Sequence, residues 1–388
     1  GEQPLAIHDF SAHWIDTNTF VWQPKQGNTI VAVSTVKLHH LAAAGITADP
    51  ENNDAINGNI VELTPVDLTD QQKVAAPRVN DLPAYSANFT VEEAKAIAKN
   101  QLVLVGYDTD DTPIIATYVQ ADLILDDLYT KGETDANEAT LGSVYSDGQI
   151  SVSVWSPTAQ DVKLNVYDTD KNNTDSHQMV EDPMTGIWTY QGGAELDRQF
   201  YRFELTLYHY QNKAIEVVET TDPYSVSLST NGMYSQFVNL SDEDLLPDGW
   251  DMQDVATINN YEDAVIYEGH IRDFSVNDQS TTAENRGKFL AFTETDSAPM
   301  QHLQKLAENG LTHFHMLPAN DIATISEDIS EIINLDSRVL DLCKVNHQAP
   351  PCYQGIDDQS LLEVLASYDP LSNDAAKLME IVRSLDSF

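Results

Sequence analysis

The first part of the chain alternates short β-branched and aromatic runs with Asn, Asp, Gly and Pro. The runs are FVW at 20–22, TIVAVSTVKL at 29–38, NIVEL at 59–63, LVLVGY at 102–107 and PIIATYVQADLIL at 113–125. Such punctuation predicts strands. One helix is expected among them, because Thr90 followed by Glu93 forms a capping box ahead of Ala94, Ile97 and Ala98 at helical spacing. Residues 130–140, TKGETDANEAT, are polar, acidic and nearly free of large apolar groups, as a linker would be. After them Ile150, Val152 and Val154 alternate with Ser151 and Ser153. Val162, Leu164 and Val166 alternate again beyond the SPTAQD turn, which is the pattern of a hairpin with one buried face. GIWTY at 186–190 and FYRFELTLYHY at 200–210 continue the series, so two β-sandwiches in tandem are predicted.

From about Trp250 the pattern changes class. DAVIYEGHIRDF at 263–274 reads as a strand, HLQKLAENG at 302–310 as an amphipathic helix stopped by Gly310, and LTHFHMLP at 311–318 as a second strand. A β-α-β order belongs to a parallel sheet flanked by helices. Helical segments follow, and no third barrel-type strand is predicted. Two parallel strands cannot bury their faces alone, so residues 246–388 read as the opening of a larger α/β domain whose remainder is missing.

Composition narrows the function classes. A length of 388 residues fits two to four domains of roughly 100–200 residues each. No apolar run approaches the ~20 residues of a spanning helix. GEQPLAIHDF at the start lacks a basic, apolar leader pattern, and any export signal is expected to have been removed. Asp and Glu number 62 against 20 Lys and Arg, a net charge of −42. With no cluster of basic residues to meet a phosphate backbone, nucleic acid is excluded as a partner, and an anionic membrane surface is disfavoured. The acidic surplus reads as a solvated surface that keeps the protein soluble, and because screening eases self-repulsion of this size, a marine or halophilic origin is the sharper expectation.

The two cysteines, Cys343 and Cys352, bracket KVNHQAPP. A small loop closed by a disulfide is expected, and with it an oxidising, secreted or cell-surface location. Zinc is the alternative, although His347 is the one further ligand nearby and a structural site wants four.

In this order along the chain, VSVWSPTAQDVKLNVYD at 152–168, GIWTYQGG at 186–193, FYRFEL at 200–205 and DPYSVSLSTNG at 222–232 resemble the sandwich module that precedes the barrel in starch- and glycogen-debranching enzymes. IYEGHIRDFSVND at 266–278 and GLTHFHMLPANDIATI at 310–325 resemble the first two barrel strands of bacterial type I pullulanases of glycoside hydrolase family 13. AHWIDTNTFVW at 12–22 is similar to their additional N-terminal sandwich, and LCKVNHQAPPC to a cysteine-bounded insertion after the second strand. The resemblance implies a mainly β fold: two tandem immunoglobulin-like β-sandwiches followed by an incomplete (β/α)8 barrel segment. The expected boundaries are 1–139, 140–245 and 246–388.

It also implies the N-terminal portion of an enzyme that hydrolyses α-1,6-glucosidic links in pullulan, amylopectin, starch or glycogen limit dextrins. Within such an enzyme these domains would pack on the remainder of the barrel. The family's nucleophile, acid/base and further Asp lie on later strands, so no catalytic residue is carried over to this chain, which is expected to be inactive alone. Two other readings compete: a non-catalytic α-glucan-binding protein built from the two sandwiches, and an interaction protein that has kept only the fold.

Trp188, Tyr190 and Trp155 are the candidate carbohydrate contacts, since aromatic faces match the apolar face of glucose; packing in the sandwich core is the alternative. Glu268, His270 and Asp273 lie near the end of a barrel-type strand but are read as structural, as are His313 and His315 on alternate positions of one strand. No cofactor or metal is expected. The Asp168, Asp170 and Asn172 loop fails the EF-hand pattern, since Asn173 stands where Gly is required and Met179 where Glu is required. It reads as a hairpin turn, as do Asp108, Asp110 and Asp111, and weak calcium binding by acidic loops is left open.

Overall fold

A single long strand, β1 (Ile7–Asp16), closes the N-terminal sheet by pairing along both of its edges. The other strands are β2 (Thr19–Val21), β3 (Thr35–Leu41), β4 (Asn59–Val66), β5 (Ala84–Ser86), β6 (Gln101–Tyr107) and β7 (Pro113–Gln120), in the closed order β1-β7-β6-β3-β4-β5-β2. β1 runs parallel to β7, with Ile7 opposite Ala116, and antiparallel to β2, with Trp14 opposite Phe20. This is a barrel, and it corrects the expectation of a sandwich over residues 1–139. Register shifts between His8 and Ala12 and between Trp14 and Asp16 bend the strand, and a closed sheet leaves no edge to protect. The structure is a computed structural model that describes residues 5–49, 51–52, 54–132, 136–253, 255, 257–320 and 325–385.

Trp14, Phe20, Trp22, Leu38 and Leu104 fill the barrel core, with the Trp14 and Phe20 rings stacked at 4.9 Å. β6 is buried over its whole length. Leu102 and Leu104 face this core, while Val103 and Val105 join Ile46, Ile56, Ala116 and Tyr118 in a second cluster, which is why LVLVGY is almost continuously apolar. Three helices serve the barrel: α1 (Asp70–Ala75), α2 (Val91–Ala98) and α3 (Asp122–Tyr129). The Thr90–Glu93 capping box opens α2. The run expected as one strand over 113–125 instead breaks after Gln120. Ile124 and Leu128, four residues apart, then bury one face of α3 in the barrel core. Of the expected linker, residues 133–135 lie outside the described residues, and Ala136–Glu138 form a short 3-10 turn.

The second β domain is a sandwich. One sheet contains β8 (Gly142–Ser146), β9 (Gln149–Trp155), β12 (Val180–Asp182) and β13 (Ile187–Gly193) in the order β8-β9-β13-β12. The other contains β10 (Ala159–Tyr167), β11 (Asn173–Gln178), β14 (Phe200–His209) and β15 (Ala214–Thr220) in the order β11-β10-β14-β15, with β16 (Ser235–Gln236) paired to β14. Ile150, Val152 and Val154 meet Val162, Leu164, Tyr201, Phe203 and Phe237 between the sheets. Each such side chain contributes ~1.5–3 kcal/mol by leaving water.

Residues 1–240 form one compact unit and 241–388 another. The second unit carries a two-stranded parallel sheet, β17 (Ile266–Gly269) and β18 (His313–Met316), with Ile266 opposite His313. Between the strands come α4 (Ile271–Ser275) and α5 (Ala298–Glu308). Among the described residues this unit has no third strand. A helical cluster follows from α6 (Val339–Val345), α7 (Pro350–Tyr353), α8 (Leu361–Ser367) and α9 (Asn373–Leu385), around Leu342, Leu361, Val364 and Leu378. Cys343 and Cys352 are joined as a disulfide that ties α6 to α7, with Cα atoms 5.6 Å apart.

Candidate functional site

The three candidate aromatics sit on adjacent strands but on different faces. In the β9–β13 ladder Val154 is opposite Trp188 and Val152 opposite Tyr190, so both aromatics share the inward face with the valines. Trp155 is opposite Ile187 and faces outward. Trp188 is 6% exposed within the sandwich core, and its Nε1 donates to the Ser156 carbonyl at 3.0 Å. Tyr190 packs against the same core and stacks on His177 at 4.4 Å between centroids. Trp155 packs on the barrel core, next to which its Nε1 donates to the Thr185 carbonyl at 2.9 Å. These placements favour the alternative of core packing over a sugar platform at Trp188, Tyr190 and Trp155. A ring must offer a free face to stack on glucose, and here the alternating pattern of β9 and β13 assigns the rings to the core and to the contact between the two β domains.

That contact has its own chemistry. Lys99, at the C-terminal end of α2, lies 2.6 Å from Glu181 on β12, and its ammonium stands 5.4 Å from the centre of the Trp188 ring. One turn earlier Lys95 donates to the Pro183 and Met184 carbonyls at 2.7 and 2.9 Å and lies over the Tyr129 ring at 4.5 Å. Burial holds the Lys95 ammonium below the usual lysine range, while Asp182, Glu92 and Glu181 pull the other way. Burial, aided by Glu181, pushes the Tyr129 hydroxyl well up. These groups line a cavity of about 390 Å³. The β12–β13 turn approaches closely through Gly186, at φ +71°. A Cβ there would stand 2.7 Å from Pro157 and 3.1 Å from the Tyr129 ring.

Sequence reasoning did not single out Lys95 and Lys99. Their signal was present, because two of only 20 basic residues fall four apart on one short helix in a strongly acidic chain.

The acidic loops are turns. Asp168 Oδ1 accepts from the backbone N–H groups of Asp170 and Asn172, both at 2.9 Å, and Asp108 Oδ1 does the same for Asp110 and Thr112. Among the described residues no group of three or more His, Cys, Asp or Glu is placed to hold a metal. Glu268 and His315 lie side by side on β17 and β18, 3.2 Å apart and more than half exposed. His270 caps α4, its Nδ1 accepting from the Arg272 N–H at 3.2 Å.

Three family models match along the chain: the Pullulanase N2 domain over residues 9–127, Carbohydrate-binding module 48 (Isoamylase N-terminal domain) over 140–225, and the Pullulanase Ins domain over 322–388. The barrel, the sandwich and the disulfide-tied helical cluster overlap these three ranges in turn. The chain is 35% identical over 390 residues to Pullulanase from Klebsiella pneumoniae, covering 97% of this chain and 35% of that protein. It is 29% identical over 336 residues to Pullulanase 1, chloroplastic, from Arabidopsis thaliana, covering 85% and 33%. The crystal structure of PulA from Klebsiella oxytoca superposes with a TM-score of 0.82 at 33% identity, over 98% of this chain and 36% of that one. The chain thus spans about a third of the length of the curated relatives it matches. Barrel, module-48 sandwich and Ins cluster, in that order on one chain, match the N-terminal region of pullulanases.

Proposed function

We propose that these 388 residues are the N-terminal portion of an enzyme that hydrolyses α-1,6-glucosidic links in pullulan, starch or glycogen dextrins, and that its catalytic carboxylates lie outside them. The observation that carries this reading is the alignment of nearly the whole chain, 97%, with about a third of a pullulanase. None of the three matched domains bears a name that assigns it the hydrolytic step. β17 and β18 serve as the first two strands of a (β/α)8 barrel. Their parallel pairing with α5 between them supports this, and so does the exposure of Ile266, Tyr267, Phe289 and Leu290, a group of apolar side chains that further strands and helices would cover. Reducing-sugar release from pullulan tests the reading. The alternative of a non-catalytic α-glucan-binding protein gains if the native gene product binds pullulan and releases no sugar.

The compartment is extracytoplasmic in this reading, supported by the one disulfide. The acidic surface serves a saline environment, supported by the net charge of −42. A melting temperature that fails to rise between low and molar NaCl argues against the saline assignment.

A further inference from the structure

The outer face of β14 changes character along its length. Arg202 and Glu204 are followed at the same alternation by Thr206, Tyr208 and then Tyr210, which lies just beyond the strand. The two tyrosines line a second cavity between the barrel and the sandwich, of about 510 Å³, within the ~300–1,000 Å³ of small-molecule sites. Phe10 of β1 completes an aromatic wall, meeting the Tyr210 ring edge to face at 6.0 Å and 82°. Asn100, Gln120 and Asp122 add polar groups to the lining.

The two domains are pinned beside this cavity. Lys213 reaches Asp9 at 2.9 Å and lies 4.6 Å over the Tyr118 ring, which itself packs on Phe10 at 5.3 Å. Two polar groups in the lining keep hydrogen-bonding capacity. The Tyr208 hydroxyl is buried beside the Gln101 side chain without a well-formed hydrogen bond to it, which leaves room for a ligand or water to supply one. The Asp122 carboxylate lines the cavity and interacts with the His13 ring through its charge alone.

We infer that this cavity binds one or two glucose residues of an α-glucan, the aromatic wall stacking on pyranose faces while Tyr208 and Asp122 bond sugar hydroxyls. The chemistry favours a neutral polyhydroxyl ligand. A lipid chain would leave Tyr208 and Asp122 unpaired, and an anion would meet Asp122 in a strongly acidic protein whose nearby Lys99 is already held by Glu181. The choice of α-glucan rests on the proposed function.

The test uses saturation-transfer NMR and calorimetry on the full 388-residue chain with maltotriose, and with cellotriose as a control. Saturable binding of maltotriose is expected, weakened about tenfold by Tyr210→Ala and several-fold by Tyr208→Phe. Tyr208→Phe removes a hydroxyl that makes no well-formed protein hydrogen bond, so its melting temperature should change little, and a loss of binding is then local. Tyr224→Ala, an exposed ring outside this cavity, should leave affinity unchanged. Maltotriose binding that survives both cavity substitutions overturns the assignment and keeps the α-glucan reading. No binding by the parent chain overturns the cavity alone, because pullulan hydrolysis by the native gene product is read separately.

Discussion

Lys99 and Glu181 form a 2.6 Å ion pair, about four-fifths buried on each side, that joins the barrel's second helix to the edge strand of the sandwich. The pair sits beside the Trp188 ring, so one lysine touches both the edge strand and the core of the neighbouring domain. Coupling of this kind is expected to make the two β domains unfold together. Lys99→Ala is expected to cost about 1–3 kcal/mol, because Glu181 is left with a partly buried, unpaired carboxylate. In a double-mutant cycle with Glu181→Ala, measured by urea unfolding, the interaction energy should exceed the ~0.3–0.5 kcal/mol scatter of independent sites. Additive losses would show that the pair does not couple the domains.

Trp188 should behave as a core residue. Trp188→Ala is expected to destabilise the sandwich by about 3–5 kcal/mol, whereas Trp188→Phe should recover most of that loss. Retardation in pullulan affinity electrophoresis by the folded Trp188→Phe protein should match the parent. A selective loss of retardation at unchanged stability would return Trp188 to a sugar-contact role.

The second β domain was legible because its two-residue period is clean. Ile150, Val152 and Val154 set the inward face, and the same period, followed through β13, puts Trp188 and Tyr190 inward as well. What the pattern did not carry was the partner of the outward face. Trp155 reads as an exposed or misplaced ring until the barrel packs on it, a contact between residues more than a hundred positions from some of their partners. Barrel closure was hidden for a related reason. Alternation predicts which face of β1 is buried, but pairing on both of its edges depends on bends at positions with no Gly or Pro to mark them. Helix α3 was lost inside an apolar run because Ile124 and Leu128 fit a strand-like composition as well as a helical face.

Acid should loosen the barrel through its buried histidines. His39 is fully buried, with Nδ1 3.0 Å from the Asn57 carbonyl and Nε2 2.7 Å from the Tyr107 hydroxyl. Burial lowers its pKa against the opposing Asn57 carbonyl, and burial lowers His13 and His40 too. Below about pH 6.5 the unfolded chain therefore binds more protons than the folded one, so stability falls as pH drops from there towards the folded pKa values; above it these groups contribute nothing. NMR of the imidazole resonances should find His39 titrating below the ordinary histidine range. A His39 that titrates at 6.5 or higher would contradict the assignment.

The disulfide should stabilise the helical cluster of the second unit. Cys343 and Cys352 are nine residues apart, a loop for which chain entropy gives roughly 2–3 kcal/mol. Mass spectrometry of non-reduced peptides should recover the linked pair from protein prepared without reductant. Reduction should expose residues of α6 and α7 to faster amide exchange while leaving the sandwich unchanged. Two free thiols in such a preparation would remove the basis for an oxidising compartment.

Central to the proposal is that this chain supplies supporting domains to a hydrolase and performs no hydrolysis itself. Retaining cleavage of a glycosidic bond needs a nucleophile and an acid held about 5–5.5 Å apart on a closed scaffold. Among the described residues of the second unit, the two parallel strands do not by themselves provide one. Reducing-sugar release from pullulan, measured beside a blank for the purified 388-residue chain and for the product of the full native reading frame, is the most direct test. The account predicts release by the full product and none by the 388-residue chain. Turnover by the 388-residue chain that survives repurification, or its absence in the full product, would contradict it.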